Sequence, residues 1–195
     1  MKSVAKELLL FPLRTVLFPG GSLGLRVFEA RYLDLVSECS RAGHGFGVCR
    51  LLDGDEAGAP ATPAAHGTEA LIEDFGTGDD GVLTLRVRGA RRFRAERTRV
   101  RDSGVVVGEV TWQPPDPEDE LRPEHALLGT LLEKLLEQAG GEHADAPAAC
   151  LDDAAWVGWR LAELLPISDP QRLALLALPD PHARLDRLLA MLPEA

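Results

Sequence analysis

The chain has only three lysines, Lys2, Lys6 and Lys134, and none follows a glycine. A nucleotide P-loop needs a lysine behind its glycines to meet the β- and γ-phosphates, so the glycines of Phe18-Pro19-Gly20-Gly21 are not such a loop. Gly43-His44-Gly45-Phe46-Gly47 has the wrong spacing for the dinucleotide fingerprint, and a strand rather than a helix follows it. HExxH and GxSxG are both absent, which removes the zincin and α/β-hydrolase machineries. The five histidines are scattered. His44 precedes a strand, and His66, His125, His143 and His182 are expected in loops or on exposed helix surfaces.

Cysteine is scarce as well. Cys39, Cys49 and Cys150 are odd in number and far apart, without a CxxC or Cys/His ligand pattern. They read as small buried hydrophobes in a reducing compartment, not as zinc ligands. No apolar run approaches the ~20 residues of a membrane span. The run LLLFPL is short and broken by Pro12, and no signal peptide is visible. The expectation is a cytoplasmic protein with no catalytic residue, no metal, no cofactor and no membrane association.

What is present is an acidic chain of 195 residues with a formal net charge of −10, which argues against nucleic acid as a partner. It changes character near residue 115. The earlier part reads as extended segments over 8–18, 22–27, 45–52, 68–75, 82–87, 92–100 and 105–112. Pro12 places the first of these at a sheet edge. In the second, Leu23, Leu25 and Val27 share one face. Phe28, Tyr32, Leu35, Val36 and Cys39 recur at helical spacing, predicting one helix of about three turns ended by Gly43. The stretch DGDEAGAPATPAAHG, residues 53–67, reads as a mobile loop. Many short strands with one helix suggest a small mixed barrel or curled sheet.

Pro114 to Glu120 reads as an ordered crossing or short linker. Beyond it the pattern is helical. Residues 124–138 carry a leucine stripe. Asp152 or Asp153 caps a helix that Pro166 stops, and Asp169-Pro170 and Asp180-Pro181 each place a capping aspartate before a proline at the first helical position. Four helices fit a small bundle. The fold class is therefore α+β, with domains at 1–115 and 116–195.

One charged feature stands out. Arg86, Arg88, Arg91, Arg92, Arg94, Arg97, Arg99 and Arg101 fall on consecutive strands, with Leu85 and Val87 alternating against Arg86 and Arg88. The plain reading is a solvated face paired with carboxylates. The alternative is a basic face, centred on Arg86, Arg88, Arg92 and Arg94, that meets RNA or an acidic peptide.

Phe18 to Gly21 matches a type II turn, with Pro19 at i+1 and Gly20 at i+2. Glu29 falls in the first helical turn, and Arg31 is placed to pair with Asp34. The longer stretch FPLRTVLFPGGSLGLRVFEARYLDLV resembles the opening of the Lon protease N-terminal domain. GFGVCRLLDG, GTEALIEDF and DGVLTLRVRGARRFRAE resemble its following strands. DDAAWVGWRLAELLPI and LLALPDPHARLDRLLAML resemble its helical extension. Gly24 stands where that family commonly has proline.

The resemblance implies a six-stranded PUA-like pseudo-barrel with one helix, followed by a helical bundle. It also implies a stand-alone relative of the part of Lon that selects unfolded or tagged polypeptides, without the ATPase and peptidase parts. The expected partners are unfolded or partly folded polypeptides, or a protease or chaperone. The candidate binding residues are the aromatics Phe11, Phe18, Phe28, Tyr32, Phe46, Phe75 and Phe93.

Overall fold

The structure is a computed structural model and describes residues 6–53 and 62–192. It divides into two compact units, residues 1–114 and 115–195.

The first unit holds six strands and one helix: β1 (Lys6–Leu13), β2 (Ser22–Val27), α1 (Ala30–Ala42), β3 (Phe46–Asp53), β4 (Thr62–Thr77), β5 (Leu83–Val100) and β6 (Val106–Trp112). The strand order is β2-β5-β4-β3-β1-β6, and a further β5–β6 ladder closes β5, β4, β3, β1 and β6 into a ring. β2 stays outside the ring, antiparallel to the first part of β5.

The segments expected at 82–87 and 92–100 are one strand. Its length lets β5 pair with β2, β4 and β6 in turn. Gly89 is not a break. Thr68 faces Arg92 while Ala70 faces Gly89, so Ala90 and Arg91 on β5 oppose Glu69 alone on β4. Such a bulge bends a strand and exchanges its inward and outward positions. Leu85 and Val87 therefore join one apolar cluster, and Phe93 joins another.

β1 is not a sheet edge. It lies between β3 (parallel) and β6 (antiparallel), and both of its faces are buried. Leu9, Phe11 and Leu13 enter the larger cluster with Tyr32, Leu35 and Cys39 of α1, while Leu8 and Leu10 enter the smaller one with Cys49 and Phe93. Pro12 is tolerated because the β6 ladder ends at Leu10, leaving Pro12 with a neighbour on the β3 side only. Of the loop expected at 53–67, residues 54–61 lie outside the described residues. Thr62 to Gly67 are strand, held by pairing with β3.

The turn before β2 forms as the sequence predicts. The Gly21 N–H donates to the Phe18 carbonyl at 3.0 Å, and Gly20 has φ 76°. Gly89 meets this turn through two backbone hydrogen bonds of 2.8 Å, from Gly20 N–H to its carbonyl and from its own N–H to the Gly21 carbonyl. A β-carbon on residue 89 would stand against the Phe18 carbonyl, far inside van der Waals contact. The buried Thr68 hydroxyl donates to the Leu17 carbonyl at 2.6 Å and fixes the residue before the turn.

The second unit begins with an ordered crossing and continues through α2 (Ala126–Ala139), α3 (Ala148–Leu151), α4 (Ala154–Leu164), α5 (Asp169–Ala177) and α6 (Pro181–Leu189). Asp153 caps α4 by accepting from Trp156 N–H, and Asp180 caps α6 with Pro181 behind it. α5 departs from the expectation: Ser168 is its cap, in a reciprocal box with Gln171, and Asp169 is already helical. Ser168 wins because Gln171 stands three residues on and returns the hydrogen bond.

His125 and His182 are not exposed. They are buried and stacked, with ring centroids 5.6 Å apart, and His125 Nε2 lies 2.7 Å from Asp186. The fully buried Arg184 reaches Asp116 at 3.1 Å and the Leu178 carbonyl at 2.8 Å. Its guanidinium sits 3.3 Å from the centre of the Trp159 ring, whose N–H also donates to Asp116 at 2.7 Å. One carboxylate thus ties the crossing segment to α4 and α6.

Two stability predictions follow from these contacts. Gly89→Ala should lower stability by about 2 kcal/mol, the usual scale for forced overpacking, whereas Gly24→Ala, with open space around it, should change it by less than about 0.5 kcal/mol. Asp116→Ala leaves a buried guanidinium without its carboxylate and should cost about 3–5 kcal/mol. Urea unfolding followed by circular dichroism measures all three.

Candidate functional site

The first unit carries a groove of about 490 Å³ built from the segment between β1 and α1. Phe11 and Leu13 at the end of β1, with Arg14 and Thr15 beyond it, form one side. Leu23 to Arg26 of β2 form the other, and Phe28, Glu29 and Tyr32 close the end. Its floor is an aromatic stack: the Phe11 and Tyr32 rings are 4.0 Å apart and nearly parallel at 7°, with Phe46 behind Phe11 at 5.8 Å.

Phe28 lies at the rim and is 65% exposed. The helical spacing of Phe28 with Tyr32 predicted that it would begin the buried face of α1. The helix instead starts at Ala30, and Glu29 is extended. Phe28 follows the inward Val27 of β2 and precedes the helix, so neither the alternation of the strand nor the face of the helix buries it. Glu29 caps no backbone group. Its carboxylate accepts from Arg31 Nε at 3.0 Å. Arg31 is buried instead of pairing with Asp34 at the surface, and its guanidinium lies 4.7 Å from the Tyr32 ring centre. The groove therefore offers broad apolar contact with its one carboxylate already held by a cation.

The groove brings together three of the seven aromatic candidates, Phe11, Phe28 and Tyr32. Phe18, Phe46 and Phe93 are buried outside the groove lining, whereas Phe11 and Tyr32, buried as well, line its floor. Phe75 is 66% exposed on β4, outside the groove. Cross-strand register nevertheless places it opposite Leu85, which is itself opposite the groove residue Leu25. Leu13, Leu23 and Leu25 were not among the candidates. The alternation of Leu23, Leu25 and Val27 was the signal that could have found two of them.

Six of the eight arginines lie against acid. Glu73 accepts from Arg88 at 2.9 and 3.1 Å and lies 3.6 Å from Arg86. Arg91 pairs with Glu69 and covers the Trp112 ring at 3.9 Å. Arg94 is 3.9 Å from Glu96, Arg99 is 2.8 Å from Glu7 and Arg101 is 2.8 Å from Glu38. A hydrogen bond from Arg99 holds the Glu7 carboxyl below its ordinary pKa. Arg92 is buried, because the bulge turns it to the opposite face from Arg86 and Arg88. The two deep cysteines are inert: burial pushes the Cys39 thiol up to about 11 and the Cys49 thiol to about 12. Among the described residues no helix is long and apolar enough to cross a membrane.

A family profile described as the ATP-dependent protease La (LON) substrate-binding domain matches residues 7–194. Among solved structures, a Lon N-terminal domain protein from Xanthomonas campestris is similar at 58% identity and a TM-score of 0.83, over 96% of this chain and 99% of that one. The N-terminal domain of Lon protease from the Mycobacterium avium complex shares the fold at 19% identity and a TM-score of 0.69, over 95% of this chain and 97% of that one. No curated protein matches.

The matched charges lead to a prediction about nucleic acid. Single-stranded RNA should not be retarded in a gel at low salt, where a free basic face would bind most strongly. Retardation that weakens steeply with added salt would restore the RNA reading.

Proposed function

Because the chain belongs to the LON substrate-binding domain family, we propose that it is a non-catalytic module that binds unfolded or partly folded polypeptides in the groove above the Phe11–Tyr32 stack. The observation that carries this reading is Phe28, a large aromatic side chain held in water at the rim of an apolar groove. Exposed apolar surface joined to a concave site marks a place where another molecule binds. Among the described residues, the groove lining is mainly apolar; its polar members are Arg14, Thr15, Arg26, Glu29 and Tyr32, and Glu29 is held by Arg31.

On this reading, residues 1–115 carry the binding function and residues 116–195 form a separate helical subdomain. The module would work in the cytoplasm, as an adaptor for a protease or chaperone. The polypeptide bound contributes apolar side chains, and it is recognised by their exposure and not by a fixed sequence.

Phe28→Asp should weaken binding of a reduced, permanently unfolded protein by about tenfold or more, because burying a phenylalanine is worth roughly 1.5–3 kcal/mol and about 1.4 kcal/mol is tenfold in affinity. The thermal midpoint should hardly move, since the side chain is exposed already. Calorimetric titration measures the first and a melting curve the second. If the wild-type protein shows no binding to a varied set of unfolded proteins at high micromolar concentration, the proposal fails.

A further inference from the structure

Resting on the polypeptide-binding reading, we infer that the client binds as an added β-strand along the open flank of β2. β2 pairs residue for residue with β5, from Ser22 with Arg88 to Val27 with Leu83, and among the described residues no strand pairs with its other flank. The groove runs beside that strand, lined by Leu23, Gly24, Leu25 and Arg26. β1, which borders the groove opposite, has lost its β6 neighbour beyond Leu10 and carries Pro12 there, so it is the poorer template. β2 contains no proline, and every residue from Ser22 to Val27 has a backbone N–H. At its centre Gly24 has nothing within 4 Å of where a side chain would begin, so another backbone can come close.

A row of backbone donors and acceptors is matched in full only by another extended backbone. Successive side chains of that backbone alternate, sending every second one toward the aromatic floor and the others to solvent. The charged side chains lining the groove are Arg14, Arg26 and Glu29; Arg26 pairs with Asp80 and Glu29 with Arg31. The occupant is therefore an extended segment of alternating apolar residues, free of proline across the paired stretch.

The test uses the full chain and a capped heptapeptide in which leucine alternates with threonine and aspartate closes both ends. Two derivatives carry backbone N-methyl groups on the odd or the even residues. One derivative should lose affinity by about tenfold or more, having lost the hydrogen bonds to β2, while the other changes by less than about threefold. Gly24→Pro should weaken the unmodified peptide similarly, and Gly24→Ala should not. Equal binding by both derivatives and the parent would overturn strand addition and leave the groove reading intact. Binding of an unfolded protein without binding of the heptapeptide would overturn it too. No binding of either ligand would overturn both readings.

Discussion

The carbonyl oxygen of Phe18 occupies the space that a β-carbon on residue 89 would need, and most of the first unit is arranged around that approach. Two backbone hydrogen bonds join Gly89 to the Phe18–Gly21 turn, and the Arg88 guanidinium adds a third to the Gly20 carbonyl at 3.1 Å. The contact fixes where the chain reverses after β1, and so where β2 starts. It falls next to the bulge at which β5 leaves β2 and turns toward β6. Ring closure and the register of β2 therefore share one backbone junction. A core made of side chains alone would tolerate exchange at many positions, but a backbone-to-backbone contact of this kind admits only glycine.

The bulge also explains why the two faces of β5 were harder to read than its length of sequence suggests. Leu85/Val87 against Arg86/Arg88 alternates cleanly, and extending that pattern places Arg92 outward. The extra residue at Ala90–Arg91 reverses the faces, so Phe93 fills the smaller cluster and Arg92 is buried. Gly89 inside a strand pattern was the visible sign, since an isolated glycine there marks a bulge or a close approach. The type II turn, β2 and the end of α1 at Gly43 were legible because local chemistry decides them. Asp153 and Asp180 were legible as caps for the same reason. Residue 168 was missed because Ser168-Asp169-Pro170 offers two capping residues in succession, and only Gln171, one turn on, chooses between them. Of the site, the aromatic content was legible and its arrangement was not. Phe28 and Phe46 look alike in sequence. One falls between a strand and a helix, the other at the start of a strand inside the core.

The charge distribution separates two scales. The chain as a whole is acidic, while the arginines of β5 meet Glu7 of β1 and Glu69 and Glu73 of β4, and Arg101 just beyond β5 meets Glu38 of α1. Exposed pairs of this type contribute little to stability. Their larger consequence is that the long strand needed for ring closure can carry arginines at its outer positions without creating a cationic field. Arginine at those positions also keeps a long strand polar on its outer face, which limits pairing with other chains.

That last constraint bears directly on the proposed role of holding unfolded chains. A strand with one open flank and an apolar groove beside it is a hazard in any folded protein, because copies can pair through it. β2 is short, at six residues, and its exposed positions are Ser22, Gly24 and Arg26, with the Arg26 side chain 65% exposed. None of these adds apolar area for a second copy to bury. A net charge of −10 further opposes approach between copies at low salt. A flexible unfolded chain can follow the groove while keeping its own charges away from the acidic surface. A second folded copy would have to bring all of its charge with it. On the proposed reading, the same edge stays open to an extended polypeptide, while the charge of the whole chain opposes its pairing with a second copy.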